Sequence, residues 1–294
     1  MIVHNFDSVL IDLGFFQIRW YSIAYILGII LGWIYAVKII QKTQNNTQNF
    51  KPIKRSDFDD LIIYLILGII LGGRLGYVIF YNLEYYIQNS FEIFKLWQGG
   101  MSFHGGLLGV MVAIFIFSKN KNTSFFKYSD VIACVAPIGL FLGRIANFIN
   151  GELFGKISTL PWAVIFPNGG NIARHPSQIY EAIFEGIVLF ILINFLAIKK
   201  DLLYKNGIIS GIFLILYSSL RIISEIFRTP DAHIGYIYNY LSMGTLLSIL
   251  TFFFGFFKCS QKETHHIAII SEKSFDIIGD VIKSPSLPKG FFFI

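Results

Sequence analysis

The stretch VIACVAPIGLFLGRIANFINGELFG, residues 131–155, joins an apolar run to a polar one. The apolar part has the composition of a membrane-crossing helix, which needs about 20 predominantly apolar residues. The polar part places an arginine, two asparagines, a glutamate and several glycines where that helix ends. Placing polar and charged side chains within a membrane costs free energy, so their position indicates a functional role.

The composition extends the membrane pattern to most of the chain. Of its 294 residues only 14% are charged and the mean hydropathy is +0.62, whereas soluble domains carry about 25% charged residues. Its two isolated cysteines predict neither a disulfide framework nor a metal site. The net charge of +6 comes from basic residues in short loops between apolar runs, which indicates membrane orientation and no binding of nucleic acid.

We predict an all-α membrane protein built as a bundle of seven transmembrane helices. Apolar runs of suitable length lie at 20–40, 60–81, 102–118, 131–150, 178–197, 207–228 and 235–257, the third being short for a span. They form one transmembrane domain, residues 1–258. Residues 259–294 are expected to be a polar cytoplasmic tail.

The basic residues of the loops predict the orientation of the bundle. They concentrate in the first, third and fifth loops, at Lys42, Lys51, Lys54, Arg55, Lys119, Lys121, Lys127, Lys199, Lys200 and Lys205. The positive-inside rule places these loops in the cytoplasm. The N-terminus is then outside and the C-terminus inside.

This orientation brings polar groups of six segments to the outer side of the bundle. They include Tyr21, Arg74, Tyr77, His104, Arg144, Asn147, His175, Arg221, Glu225 and Arg228. Six segments far apart in sequence thus deliver polar side chains to one depth, which predicts a shared site.

The sixth span carries Tyr217, Arg221, Glu225 and Arg228 on one narrow face, at spacings of four, eight and eleven residues. One interpretation is a structural ion pair between Arg221 and Glu225 that locks two helices. The other is an anion site, which Arg144 and Arg74 at a similar depth favour, because charges inside a membrane usually face a cavity or pathway.

The polar part of the opening stretch allows two interpretations as well. Arg144 and Asn147 are one helical turn apart, and the glycines around Glu152 predict a loop that folds back over a site. Alternatively, Arg144 is an interfacial arginine that snorkels to the surface. His104 is either a hydrogen-bonded structural residue or a catalytic one.

The chemistry of arginine narrows the choice of ligand. Its guanidinium is permanently charged and binds phosphate in a bidentate fork, so arginines inside a bundle at this depth suit a phospholipid head group. The sequence has no Walker loop, no HExxH and no GxSxG, which excludes the simplest nucleotide, metalloprotease and serine-hydrolase sites. A transporter or lipid-binding membrane protein with the same anion site stays open, although no internal repeat supports it.

The sequence contains the motifs RWY (19–21), GGRLGYVIFYN (72–82), FHGGLLG (103–109), GRIANFINGELFG (143–155), HPSQIYE (175–181), and Tyr217, Arg221, Glu225 and Arg228 followed by Pro230 and Asp231. Taken together, these motifs resemble the bacterial prolipoprotein diacylglyceryl transferases over about residues 5–257. It implies a seven-span catalytic domain in the bacterial cytoplasmic (inner) membrane, with the active site towards the periplasm. No metal or organic cofactor is implied.

The implied reaction moves diacylglyceryl from phosphatidylglycerol to the lipobox cysteine thiol of a preprolipoprotein and releases glycerol phosphate. The partners are the lipid, the preprolipoprotein signal peptide and the bilayer. Under this resemblance the expected catalytic residues are His104, Arg144 and Arg221, with His104 as the base. The expected substrate-binding residues are Tyr21, Arg144, Asn147, Glu152, Tyr217, Glu225 and Arg228.

Overall fold

The structure, a computed structural model, describes residues 2–14, 17–44, 53–96, 99–229, 236–237 and 241–260. The predicted tail lies outside the described residues from position 261 onward, as do Pro230 and Asp231.

Helices dominate the described parts of the chain. They are α1 (Trp20–Gln44), α2 (Arg55–Tyr81), α3 (Leu83–Gln88), α4 (Phe103–Asn120), α5 (Phe125–Ile149), α6 (Ser177–Glu181), α7 (Leu189–Asn194), α8 (Ile208–Glu225) and α9 (Met243–Ser260). Two π-helical stretches, Ala182–Val188 and Phe195–Lys199, join and extend α6 and α7 into one helix, Ser177–Lys199.

Six helices in the described ranges are long and apolar enough to cross a membrane: α1, α2, α5, Ser177–Lys199, α8 and α9. The prediction of a helical, multi-pass membrane protein is confirmed at this level. The predicted third span corresponds to α4, whose 18 residues extend about 27 Å at 1.5 Å per residue. That length is slightly below the ~30 Å hydrocarbon core, and the count of seven spans and the orientation of the termini stay predictions.

The all-α prediction missed several short strands: β1 (Ile2–Val3), β2 (Val9–Asp12), β3 (Gln17–Arg19), β4 (Val164–Ile165), β5 (Ala173–Arg174), β6 (Tyr236–Ile237) and β7 (Leu241–Ser242). The antiparallel pairing of β6 with β7 explains why α9 begins at Met243, although the apolar run predicts a span from residue 235. Hydropathy reports the apolar character of this segment and not its local hydrogen bonding.

Helices α2 and α4 pack backbone against backbone through facing glycines. A Cβ atom added to Gly109 would lie 1.9 Å from the carbonyl oxygen of Gly68, and one added to Gly105 would lie 2.3 Å from that of Gly72. Only glycine permits such an approach. The contact fixes α4, and with it the position of His104, on the surface of α2.

Helices α5 and α8 run in the same direction and are joined near their starts. The buried carboxylate of Asp130 on α5 accepts hydrogen bonds from the backbone N–H groups of Gly207 (2.5 Å) and Ser210 (2.8 Å) at the start of α8. The helix Ser177–Lys199 runs the opposite way, because Asn194 near its end donates to the carbonyl of Cys134 near the start of α5 (2.9 Å).

Short strands cover the end of the bundle where α5 and α8 finish. Strand β1 pairs in parallel with β4, which pairs antiparallel with β5. Isolated bridges join Gly155 to Arg228 and Ile157 to Arg174. This layer ties residues 150–176 to the segment that follows α8.

The buried apolar core lies near the opposite end of the same helices. It includes Tyr128, Val131 and Cys134 in the first half of α5 and Ile209 at the start of α8. Elsewhere on the described helices many large apolar side chains are exposed, such as Ile63 on α2. An exposed apolar surface of this extent suits lipid as the surrounding medium. The polar groups are then expected at the other end of the bundle, where α5 and α8 finish.

Candidate active site

Six charged side chains meet where α5 and α8 end and where Ser177–Lys199 begins. They are Arg144, Arg221, Arg228, Glu181, Glu185 and Glu225, and each side chain is at most 17% exposed. We call this group the arginine–glutamate lattice. Three separate helical segments contribute to it, so tertiary packing creates it.

Two glutamates on one helix link the arginines of the other two. Glu181 Oε2 lies 2.8 Å from Arg144 Nη1 and 3.1 Å from Arg221 Nη1. Glu185, one turn later, lies 2.9 Å from Arg144 Nη2 and 3.1 Å from Arg221 Nη1. The two guanidinium groups therefore converge on shared carboxylates, and their role as an anion site stays a prediction.

Further contacts hold the remaining members of the lattice. Glu225 lies 2.8 Å from Arg221 Nη2, an ion pair whose angle is outside hydrogen-bond geometry, and accepts a hydrogen bond of 2.8 Å from Ser242 Oγ. Arg228 Nη1 lies 3.4 Å from Glu181 Oε1. Removing one partner of a buried ion pair leaves an uncompensated charge, which is strongly destabilising. Each member is thus held by its neighbours.

Asn147 and Glu152 form a second polar unit beside the lattice. Asn147 Nδ2 donates to Glu152 Oε1 (2.7 Å), and the backbone carbonyl of Glu152 accepts from Gln178 Nε2 (2.6 Å). Gly151 has φ +65°, a conformation that favours glycine and turns the chain back at the end of α5. The predicted return loop is present, with the Glu152 side chain exposed.

The two predicted tyrosines occupy different surroundings. Tyr217 lies one turn before Arg221 on α8 and its ring stacks on Phe213, with centroids 5.9 Å apart. Tyr21 is half-buried at the start of α1, where its ring contacts that of Tyr25 at 5.2 Å. Their roles in substrate binding stay predictions.

His104 is the second residue of α4, just after the N-cap Ser102, whose hydroxyl accepts a hydrogen bond from Gly105 N (3.2 Å). Its side chain is exposed, in contrast to the buried lattice. Exposure suits a residue that acts on an incoming substrate, and its role as the base stays a prediction.

Arg74 makes different contacts from those expected of an anion site. Its buried guanidinium donates to the backbone carbonyls of Glu92 (2.7 Å), Ile93 (2.9 Å) and Gly99 and lies over the ring of Tyr86. These contacts clamp the connection between α2 and α4. Arg74 therefore has a structural role here and has no contact with the arginine–glutamate lattice among its described contacts.

His175 orients the return loop. Its carbonyl accepts from Gly155 N (2.9 Å), and its ring lies against Tyr180 and Phe227. Burial, together with the nearby Lys156 ammonium, lowers the pKa of His175. A neutral imidazole at this place suits packing and a hydrogen bond of 3.2 Å with the Tyr180 hydroxyl.

Comparison with known proteins identifies the family. The family model described as prolipoprotein diacylglyceryl transferase matches residues 8–259. The chain belongs to this family. The resemblance inferred from the motifs is confirmed.

Relatives of this family cover most of the chain. Proteins named phosphatidylglycerol–prolipoprotein diacylglyceryl transferase from Rickettsia canadensis (strain McKiel) and Rhizobium meliloti (strain 1021) are 50% and 47% identical to it. The alignments cover 85% and 83% of this chain, and 94% and 87% of the relatives. The protein is therefore a member of an enzyme family over nearly its whole described length.

For this transferase family member, the sequence-based site omitted two residues of the lattice. Glu181 and Glu185 were not among the predicted site residues, yet both contact Arg144 and Arg221 directly. The available signal was two carboxylates one turn apart inside an otherwise apolar helix. Within the described ranges, no three His, Cys, Asp or Glu side chains are grouped as metal ligands.

Proposed function

We propose that this protein transfers the diacylglyceryl group of phosphatidylglycerol to the lipobox cysteine thiol of a preprolipoprotein, releasing glycerol phosphate. The reaction takes place at the periplasmic side of the bacterial cytoplasmic membrane. The bundle has seven spans, with the N-terminus outside and the C-terminus inside. Family membership and the names of its relatives support this reaction.

The single observation that carries the proposal is the convergence of Arg144 and Arg221 on the carboxylates of Glu181 and Glu185. Two guanidinium groups on different helices are within reach of one phosphate. Because guanidinium geometry matches phosphate oxygens, the pair suits a lipid phosphate at the end of the apolar bundle.

The chemical step is a displacement at carbon. The cysteine thiolate attacks the carbon of the diacylglyceryl group that is bonded to a phosphate oxygen. The S–C bond forms, and the C–O bond between this carbon and the phosphate oxygen breaks. The bonding electrons leave with the phosphate oxygen, which makes glycerol phosphate more negative than the phosphodiester it came from. Arg144 and Arg221 stabilise this added charge more strongly in the transition state than in the bound lipid.

The nucleophile needs to lose a proton, because the thiolate and not the thiol is reactive and a free cysteine has a pKa of about 8.5. His104 accepts this proton as the general base. Its exposed position allows it to meet a peptide that arrives from the membrane.

The other predicted residues bind and orient the substrate. Asn147 and Glu152 hold the lipid head group through the return loop, and Tyr21 and Tyr217 line the site. Glu225 keeps Arg221 in position, as their 2.8 Å contact allows. Lipid and signal peptide enter laterally from the bilayer.

The test is a transfer assay with the purified full-length protein, phosphatidylglycerol and a lipobox peptide. Arg144→Ala and Arg221→Ala are expected to abolish transfer. Arg55→Ala, a matched control at an exposed arginine, is expected to keep it. Full transfer in either lattice variant would overturn the anion-site assignment. If the wild-type protein moves lipid but forms no lipid-modified peptide, the protein is a lipid carrier and not a transferase.

A further inference from the structure

The Glu181 carboxylate occupies the position of an anion. Its two oxygens contact three arginines: Arg144 at 2.8 Å, Arg221 at 3.1 Å and Arg228 at 3.4 Å. Its side chain is 1% exposed. A carboxylate held by three guanidinium groups in this way sets the charge that an incoming ligand meets.

The lattice as a whole has no net formal charge. Its three arginines are permanently positive, and its three glutamates balance them as carboxylates. Other nearby cations have different partners: Lys156 donates to the carbonyl of Ile226, and Arg174 to those of Gly155 and Gly169. They do not add a contact to the lattice carboxylates in the described structure.

A neutral lattice distinguishes ligands by their charge. A phosphodiester carries one negative charge, whereas a phosphomonoester carries about −1.5 to −2 at pH 7. Uncompensated charge in a poorly hydrated site is costly, and this cost rises steeply with its magnitude. The lattice therefore binds a singly charged ground-state head group more readily than a doubly charged one. The same balance favours release of glycerol phosphate after the contacts of Arg144 and Arg221 have stabilised the charge that develops during transfer.

We infer that Glu181 is a specificity-determining residue that restricts the site to lipids with a singly charged phosphodiester. The inference rests on the proposed function and concerns the same site. Phosphatidate, a phosphomonoester lipid, is then a weak ligand although its head group is small.

Glu181 is the member of the lattice whose charge is most directly tested. Unlike Glu225, which also accepts a hydrogen bond from Ser242, Glu181 has side-chain contacts only with arginines in the described part of the chain. Glu181→Gln keeps the length and one acceptor oxygen and removes one negative charge. The lattice then has an excess of one positive charge, which lowers the cost of binding a doubly charged ligand relative to a singly charged one.

The experiment measures lipid binding with the full-length protein in phosphatidylcholine nanodiscs. Fluorescent phosphatidylglycerol is displaced by unlabelled phosphatidylglycerol or by phosphatidate at pH 8. The wild type is expected to prefer phosphatidylglycerol, and Glu181→Gln is expected to lower this preference about tenfold or more. Glu84→Gln, at an exposed glutamate on α3, is expected to leave it unchanged.

A preference in Glu181→Gln within twofold of the wild type would overturn the inference. If that variant does not fold, Glu225→Gln removes the same charge from the same lattice and is expected to change the preference in the same direction; no change there would also overturn it. A transfer assay on the wild type is run in parallel. Absence of lipid-modified peptide would refute the proposed function, independently of the binding ratio.

Discussion

Arg144 Nη1 and Arg221 Nη1 contact the same atom, Glu181 Oε2, at 2.8 and 3.1 Å. The arginines belong to α5 and α8, which run in the same direction, and the glutamate belongs to the oppositely directed helix Ser177–Lys199. A shared carboxylate brings two like charges together where neither alone would be stable in a buried place. The pair is thus held together by a side chain of the protein itself.

Replacing either arginine of this pair by lysine tests whether the fork geometry of guanidinium matters. Arg144→Lys and Arg221→Lys keep the positive charge but lose the bidentate contact, and we expect transfer to fall about 100-fold or more. The measurement is the initial rate of peptide lipidation. Arg55→Lys is the matched control and is expected to keep the wild-type rate. Near-normal rates in both lattice variants would show that charge alone suffices.

Asp130 offers a test of how the two arginines are kept in register. Its carboxylate accepts hydrogen bonds from the backbone of Gly207 and Ser210, and from Ser210 Oγ at 2.6 Å. Asp130→Ala leaves buried N–H groups at the start of α8 unpaired, which costs about 1–3 kcal/mol. We expect a lower melting temperature in detergent and slower transfer.

A matched variant separates this effect from loss of a peripheral contact. Ser129→Ala removes the 2.8 Å hydroxyl contact with Ser210 and a 3.3 Å hydrogen bond to the carbonyl of Phe126, and it is expected to change stability less. An Asp130→Ala protein as stable as Ser129→Ala would mean that the carboxylate does not hold α8.

Sequence patterns predicted the features that depend on lipid as a solvent. Apolar runs gave the helices because backbone groups in a membrane are satisfied within a helix. The face of α8 that carries Arg221 and Glu225 followed from helical periodicity, and these two residues do contact each other.

Features that depend on packing between helices were not predictable in this way. Periodicity places Glu181 and Glu185 on one face, but it does not say which of several arginines that face meets. Arg74 shows the same limit: its predicted depth in the membrane matched that of the site residues, whereas the fold directs it to the carbonyls of the connection between α2 and α4. The partner of a buried charge is decided by tertiary structure.

The lowered pKa of His175 predicts a pH dependence of stability. The unfolded chain has the ordinary histidine pKa of about 6.5, and burial with Lys156 lowers it in the folded protein. The unfolded state therefore binds the proton more readily, so stability falls as the pH drops below about 6.5. Melting temperatures at pH 7.5 and 5.5 are expected to differ less in His175→Gln than in the wild type. An identical difference in both proteins would contradict this assignment.

The glycine contact between α2 and α4 gives a prediction with an internal control on the same helix. A Cβ at Gly109 would lie 1.9 Å from the Gly68 carbonyl oxygen, a backbone atom, whereas a Cβ at Gly106 would lie 3.8 Å from its nearest neighbour, the Ile69 carbonyl oxygen. Gly109→Ala forces the helices apart and is expected to cost about 1–3 kcal/mol. Gly106→Ala meets an ordinary van der Waals distance and is expected to keep or slightly raise the stability, because alanine favours helix more than glycine does.

The same pair of variants also tests the position of His104. Because this histidine is carried by α4, separation of α4 from α2 moves it, and Gly109→Ala is expected to slow transfer more than Gly106→Ala does. Thermal unfolding in detergent and the lipidation rate are measured for both proteins. If the two variants unfold at the same temperature and transfer at the same rate, the close packing of α2 on α4 does not position His104. The claim that this packing places His104 to act as the base would then be wrong.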